Sequence, residues 1–392
     1  MPIAVYALAL AAFAVGTAEF IISGILPLLA TDLGVTIPTA GLLVTAYALG
    51  VAIGGPILTI FVARFPPRAV LITLLAVFAV SQVLCAIAPD YGLLLAARVL
   101  SSCAHGVFFG AGNVAVARLV PQERRGRAFA LFIGGITIAN LMGLPGGTAI
   151  GVAFGWRTSF AAVALLGFAA MLVLMLRLPP TKKGEHAPAT TAAQFVELRH
   201  HQVYLSYLTI ALVMVGLLAF GTYQVPILLN MTRLNPEIVP LYLLLSGVGA
   251  VLGIYAGGRA TDWRPMPWLI AMLLLQAALS FAMIFAMHDP VFMAINMFAS
   301  GVAGFAFSTP LQARVIHAAR AAPNLASALI SSSFNFGIAG GALIGAMLLN
   351  AGASLTSLPV VGIVTSLLAA MVAWLSWTLD RRTSRASAAS GA

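Results

Sequence analysis

Twelve stretches of about twenty predominantly apolar residues run through this chain of 392 residues. A bilayer core is about 30 Å thick and an α-helix rises about 1.5 Å per residue, so such a stretch is long enough to cross it. No water is available in lipid to take a backbone hydrogen bond, so each stretch must close its bonds internally, as a helix. The spans fall at 4–30, 38–62, 69–88, 92–119, 127–153, 157–177, 203–230, 238–258, 266–287, 290–317, 324–350 and 356–378, called helices 1 to 12 below. The fold class this implies is an all-α polytopic membrane protein. Charged residues make up 8% of the chain, against about 25% in a soluble domain.

The formal charge of +10 is scattered through short loops, with no basic stripe and no nucleic-acid motif, so nucleic acid is not an expected partner. Cys85 and Cys103 lie inside apolar runs, lack a C-x-x-C spacing, and read as packing residues. No Lys or Arg precedes the first apolar run and Glu19 interrupts it, so it reads as a retained helix and not a signal peptide.

The longest polar connection, "LPPTKKGEHAPATTAAQFVELRHHQ", separates six helices from six, and its second part has the pattern of a short amphipathic surface helix. The expected units are a six-helix bundle over 1–178, a linker over 179–201, a second bundle over 202–380 and a tail over 381–392. Twelve spans put both termini on one side. Most loop arginines and lysines fall there, including Arg64, Arg68, Arg118, Arg124, Lys182, Arg264, Arg314 and Arg381. Only Arg157 and Arg233 occupy loops on the other side. Positive charge marks the cytoplasmic side, so both termini are expected there.

The halves repeat. Small residues recur every fourth position in helix 2 (Gly50, Gly54), helix 5 (Gly143, Gly147, Gly151), helix 8 (Gly249, Gly253, Gly257) and helix 11 (Gly337, Gly341, Gly345). Gly143 and Gly147 map onto Gly337 and Gly341 with a shift of 194, Gly50 and Gly54 onto Gly249 and Gly253 with a shift of 199, and "GTAE" at 16–19 onto "GTYQ" at 221–224 with a shift of 205. The shift falls steadily along the chain, as differences in loop length produce. Parallel repeats of this kind are the architecture of transporters whose site lies between two halves.

These segments resemble the major facilitator superfamily, and within it the twelve-helix drug:proton antiporters of the arabinose-efflux-permease-like and chloramphenicol-exporter-like branch. "GTAEFIISGILP" looks like the branch's signature in helix 1, and "LLLAARVLSSCAHGVFFG" like its helix 4 motif with Arg98 as the arginine. "GLPGG", with Pro145 between Gly143 and Gly147, is similar to the antiporter motif of helix 5. The resemblance implies two pseudo-symmetric six-helix bundles in a bacterial inner membrane, acting as a monomer. In that family helix 2 meets helix 11 and helix 5 meets helix 8, so the glycine stripes are expected at the contact between halves. One motif departs. Between helices 2 and 3 the family reads like G-x-x-x-D-R-x-G-R-R, where this chain has "TIFVARFPPR", keeping Arg64 and Arg68 but not the acid. The second-half copy, "GRATDWRP", keeps Gly258 and Asp262. The latch this loop forms in the family is therefore expected to be more intact in the second half.

Intramembrane polar residues carry the functional reading. Glu19 lies about 15 residues into helix 1, near the bilayer midplane, and a carboxyl at that depth marks an ion or substrate pathway. Its second-half counterpart, Gln224, cannot ionise, and Ala294 stands where Arg98 would repeat. Proton coupling is thus expected in the first half alone, through Glu19, with Arg98 and His105 (seven residues apart on helix 4) as partners. Phe20, Asn140, Tyr223, Gln224 and Asn335 are the candidate substrate contacts.

No nucleophile motif, P-loop or metal-binding pattern marks an enzyme, and no polar pore ring or filter loop marks a channel. The expected function is export of small amphiphilic organic molecules by alternating access. It would draw on the proton gradient and need no cofactor or metal. Sugar or nucleoside efflux by the same fold is the alternative.

Overall fold

The computed structural model describes residues 1–62, 64–179, 201–318 and 323–390. Among the described residues twelve helices are long and apolar enough to cross a membrane: Ile3–Asp32, Ile37–Val62, Pro67–Ala86, Tyr91–Leu119, Gln122–Phe154, Trp156–Arg177, His201–Asn230, Pro236–Trp263, Pro265–Ala286, Pro290–Ile316, Leu329–Asn350 and Leu355–Arg381. They match the expected spans to within a few residues, and no strand is present among the described residues. The linker's amphipathic segment, with Lys182, lies outside the described residues, as does Ala63 of the loop after helix 2. The last helix runs from Leu358 to Ser390, so the expected tail continues it.

Turn chemistry repeats between the halves. Asp90 caps helix 4 by accepting from the Leu93 N–H at 2.9 Å, and Asp289 caps helix 10 by accepting from the N–H groups of Val291 and Phe292. Each satisfies donors that a helix start leaves open. On that same side Arg157 pairs with Asp32 at 2.5 Å and donates to the Ala88 carbonyl, joining helices 1, 3 and 6. On the terminal side Arg314 of helix 10 donates to Gln202 of helix 7 and to Ser376 and Asp380 of helix 12.

Four prolines reshape the spans. A proline has no N–H and its ring crowds the carbonyl four residues back. Helix 7 accordingly breaks between Gly221 and Gln224, four residues ahead of Pro226. Helix 10 breaks between Phe305 and Ser308, ahead of Pro310. Helices 2 and 5 absorb Pro56 and Pro145 differently, widening into π-helical turns at Gly50–Gly54 and Ala139–Gly143.

The glycine stripes do not lie where the resemblance implied. Gly50 and Gly54 of helix 2 face Ser102 and Cys103 of helix 4, and Gly249 and Gly253 of helix 8 face Phe298 and Val302 of helix 10. Gly143 and Gly147 of helix 5 face Thr17 and Ile21 of helix 1, while Gly337 and Gly341 of helix 11 face Ala211, Met214 and Val215 of helix 7. All four stripes pack inside their own half, and matching helices choose matching partners, so the repeat extends to packing. The physical reason is close approach: a Cβ on Gly253 would stand 2.2 Å from the Val302 carbonyl oxygen. Backbones that near belong to a rigid bundle and not to a surface that slides.

The halves meet on other faces of the same helices, with helix 2 packed on helix 11 and helix 5 on helix 8 as the resemblance implied. Gly41 of helix 2 lies under Tyr223 of helix 7, and Gly247 of helix 8 lies against Asn140 and Leu141 in the π turn of helix 5. Ser332 of helix 11 donates to the Ala52 carbonyl at 3.1 Å, inside the π turn of helix 2. That carbonyl is four residues before Pro56, the position a proline cannot serve. These contacts run from the side opposite the termini to just past mid-membrane.

Gly253→Ala is expected to destabilise the protein by about 1–3 kcal/mol, because the facing group is backbone and cannot yield. Gly134→Ala, where an added Cβ meets nothing within 4 Å, is expected to leave stability unchanged or raise it slightly. Thermal unfolding of both variants in detergent checks the contrast.

Candidate substrate and proton site

Helix 1 is the most enclosed of the twelve spans among the described residues. Its small and branched apolar residues pack on helices 2, 5 and 6, and nearly all of Ala11 to Leu26 is buried. Glu19 shares that burial, with 8% of its surface exposed. What remains exposed opens on a cavity of about 20 Å³ between the halves, lined by Phe20, Ser23, Val44, Tyr47 and Ala48 of the first half and Leu218 and Ile338 of the second. That volume holds about one water. Among the described residues the Glu19 carboxyl makes no hydrogen bond and no ion pair.

Arg98 is completely buried, so it does not snorkel to the surface. Its Nη1 donates to the Ala18 carbonyl at 2.5 Å, the peptide next to Glu19. Its guanidinium carbon lies 4.0 Å from the centroid of the Tyr47 ring. Nε and Nη2 have no partner. Tyr47 Oη hydrogen-bonds His105 Nδ1 at 3.0 Å, and the imidazole packs on Phe109 at 5.2 Å between centroids. One turn away Gln82 of helix 3 donates to Ser101 at 2.7 Å. Glu19, Arg98 and His105 thus meet in one region, through Tyr47. Tyr47 lines the cavity, carries the arginine and binds the histidine.

The substrate candidates divide. Phe20 lines the cavity. Asn335 is buried one turn from Ile338; its Nδ2 donates to Ser331 and its Oδ1 has no partner. Asn140 is half-buried in the π turn of helix 5, where its carbonyl faces Gly247. Tyr223 is fully enclosed, donates to the Ala342 carbonyl at 3.0 Å and packs on Gly345, away from the cavity wall. Its place is a seam between halves, set by the break in helix 7. Gln224 is buried at the start of the short helix beyond that break. Of the loop residues, Arg68 donates to the Met175 carbonyl of helix 6 at 2.7 Å, Arg64 lies over Phe65, and Asp262 is exposed.

Sequence signals existed for two of the missed residues. Gln82 is a lone amide in a predominantly apolar helix 3, and Tyr47, a lone tyrosine amid "TAYALG", needs a partner for its hydroxyl.

The model for the Major Facilitator Superfamily matches residues 8–323. The chain belongs to this superfamily. It is 38% identical over 370 residues to the inner membrane transport protein YdhP of Escherichia coli strain K12, covering 94% of this chain and 95% of that protein. It is 32% identical over 353 residues to a chloramphenicol resistance protein of Streptomyces lividans, covering 88% and 89%. A solved bacterial homologue of the human lysosomal transporter Spinster, inward-facing and unoccupied, shares the fold with a TM-score of 0.76 at 17% identity, covering 95% of this chain and 96% of that one. This superfamily member is therefore a multi-pass inner-membrane transporter of small molecules, built as two six-helix bundles.

A buried guanidinium with two unpartnered nitrogens is costly to the fold. Arg98→Met is expected to keep or raise thermal stability in detergent, by as much as about 1–4 kcal/mol. A clear fall in Tm would make Arg98 a structural element instead.

Proposed function

We propose that this transporter is a proton-coupled exporter of small amphiphilic organic molecules, working by alternating access as a monomer with both termini in the cytoplasm. The observation that carries the reading is the Glu19 carboxyl, which opens without a partner on the cavity between halves. A carboxylate buried without a partner is unstable as the anion, so in this closed cavity Glu19 holds its proton. Opening to the cytoplasm lets water and substrate in, and the proton leaves. Opening to the outside reloads it, and substrate departs. Each proton moving inward contributes about 2.3 kcal/mol per 100 mV of membrane potential, besides the pH gradient.

The lining supports the substrate class. Phe20, Val44, Ala48, Leu218 and Ile338 offer apolar contact, with Ser23, Tyr47 and Glu19 as the polar groups. That suits an amphiphile carrying a few hydroxyl or amide groups. The resistance named for the Streptomyces relative is to a molecule of this kind. The orientation rests on the arginine asymmetry of the loops. Since the halves touch from the side opposite the termini to just past mid-membrane, that orientation makes this the form sealed toward the outside.

Two experiments test the reading. In proteoliposomes with an imposed pH gradient, Glu19→Gln is expected to exchange substrate down its gradient and to lose accumulation against it, with chloramphenicol the first probe of an amphenicol, nucleoside and sugar panel. Uphill transport by Glu19→Gln would contradict the coupling role. For orientation, a single cysteine at Asp90, in a background lacking Cys85 and Cys103, is expected to react with an impermeant thiol reagent in intact cells, and one at Arg124 only after lysis. The reverse pattern would invert the topology.

A further inference from the structure

Glu19 and Arg98 are neighbours of opposite charge that do not pair. Arg98 spends one donor on the Ala18 carbonyl and leaves Nε and Nη2 unused, while the carboxyl one residue further along has no partner. Buried complementary groups left apart in this way need something that holds them apart. The Tyr47 ring is placed to do it, beside the Ala18 carbonyl that takes one donor. The guanidinium stands 4.0 Å from its centroid, in the range of a cation–π contact that strengthens when water is absent. The ring is itself fixed, because Tyr47 is 1% exposed and its hydroxyl is tied to His105.

We infer that Tyr47 is the positioning residue of the coupling site: its ring is a shelf that keeps Arg98 off Glu19 while the carboxyl is protonated. When Glu19 loses its proton, the carboxylate outcompetes the ring and the free Nε and Nη2 of Arg98 turn onto it. No bond is made or broken beyond the departing proton. The inference rests on the coupling role of Glu19 given above and adds the element that sets the balance between the two arrangements. Tyr47 is also placed to report the change. It stands three residues before the π turn at Gly50–Gly54, which receives the Ser332 hydrogen bond from helix 11. The charged and titratable groups around this shelf are Glu19 from helix 1, Cys85 from helix 3, and Arg98 and His105 from helix 4. The second half contributes Leu218 and Ile338 to the cavity, and neither titrates.

Infrared spectroscopy of the full-length protein in nanodiscs, without substrate or gradient, tests this. At pH 7 the wild type is expected to show a protonated-carboxyl band that Glu19→Gln lacks. Tyr47→Phe and Tyr47→Trp keep a ring and keep the band. Tyr47→Leu cuts it at least threefold, because Arg98 falls onto Glu19, and adding Arg98→Met to Tyr47→Leu restores it. Simple packing gives a different order, with the bulky Trp variant the most disturbed and the double variant no better than the single. The inference is overturned if the wild type lacks the band, if Tyr47→Leu retains it, if Phe and Trp lose it as Leu does, or if Arg98→Met fails to restore it. Because no transport is measured, failure of the shelf is distinguishable from failure of the exporter reading, which the gradient experiment with Glu19→Gln decides on its own.

Discussion

A guanidinium buried in a membrane protein with a carboxyl beside it, and no bond between them, is the feature on which the rest of this structure turns. Arg98 is held by an aromatic face and a peptide carbonyl, and Glu19 by packing alone. Lipid offers neither group a solvent, so their cost is carried by the surrounding first half. That half is built accordingly. Helix 1 is enclosed by helices 2, 5 and 6, helix 4 brings Arg98 and His105 inward, and helix 3 adds Gln82 to the same polar layer. The second half repeats the helices and not the charges: Gln224 and Ala294 stand where Glu19 and Arg98 would recur.

Two kinds of helix contact divide the labour. Glycine stripes bring helices together within each half; in the second half an added Cβ would meet a carbonyl oxygen at 2.2 Å on Gly253 or 2.4 Å on Gly341, and in the first half the side chains of Ser102 on Gly50 and Thr17 on Gly143. Backbone-to-backbone contacts of the second-half kind leave little room for rearrangement. Between halves helix 2 packs on helix 11 and helix 5 on helix 8, and two of the contacts fall on π turns that prolines impose on helices 2 and 5. A carbonyl loosened by Pro56 is the acceptor for Ser332.

Much of this was legible in the sequence because the bilayer restricts the options so severely. Span length and hydropathy gave the helices nearly to their ends, and the drifting offsets between "GTAE" and "GTYQ", or "GGTAIG" and "GGALIG", gave the repeat. Glu19, Arg98 and His105 stood out because charge is rare in such segments. The stripes could be found but not aimed: a four-residue spacing says that one helix face is narrow and leaves open which neighbour fills it. Tyr47 was legible only as a hydroxyl in need of a partner, for a related reason. An aromatic residue in a membrane helix most often faces lipid or core, and only the three-dimensional meeting of helices 1, 2 and 4 shows its ring under Arg98. The breaks in helices 7 and 10 follow from Pro226 and Pro310, yet the same residue type in helices 2 and 5 yields a π turn, which residue type alone does not distinguish.

Release of a proton on ligand binding bears most directly on whether Glu19 couples transport to the gradient. Purified protein in weakly buffered detergent solution, monitored with a pH-sensitive dye while an exported compound is added, is expected to release about one proton per binding event near neutral pH. Glu19→Gln is expected to bind the same compound and release none. Equal release from the wild type and Glu19→Gln, or binding by the wild type without any release, would show that the proton is carried elsewhere or not at all.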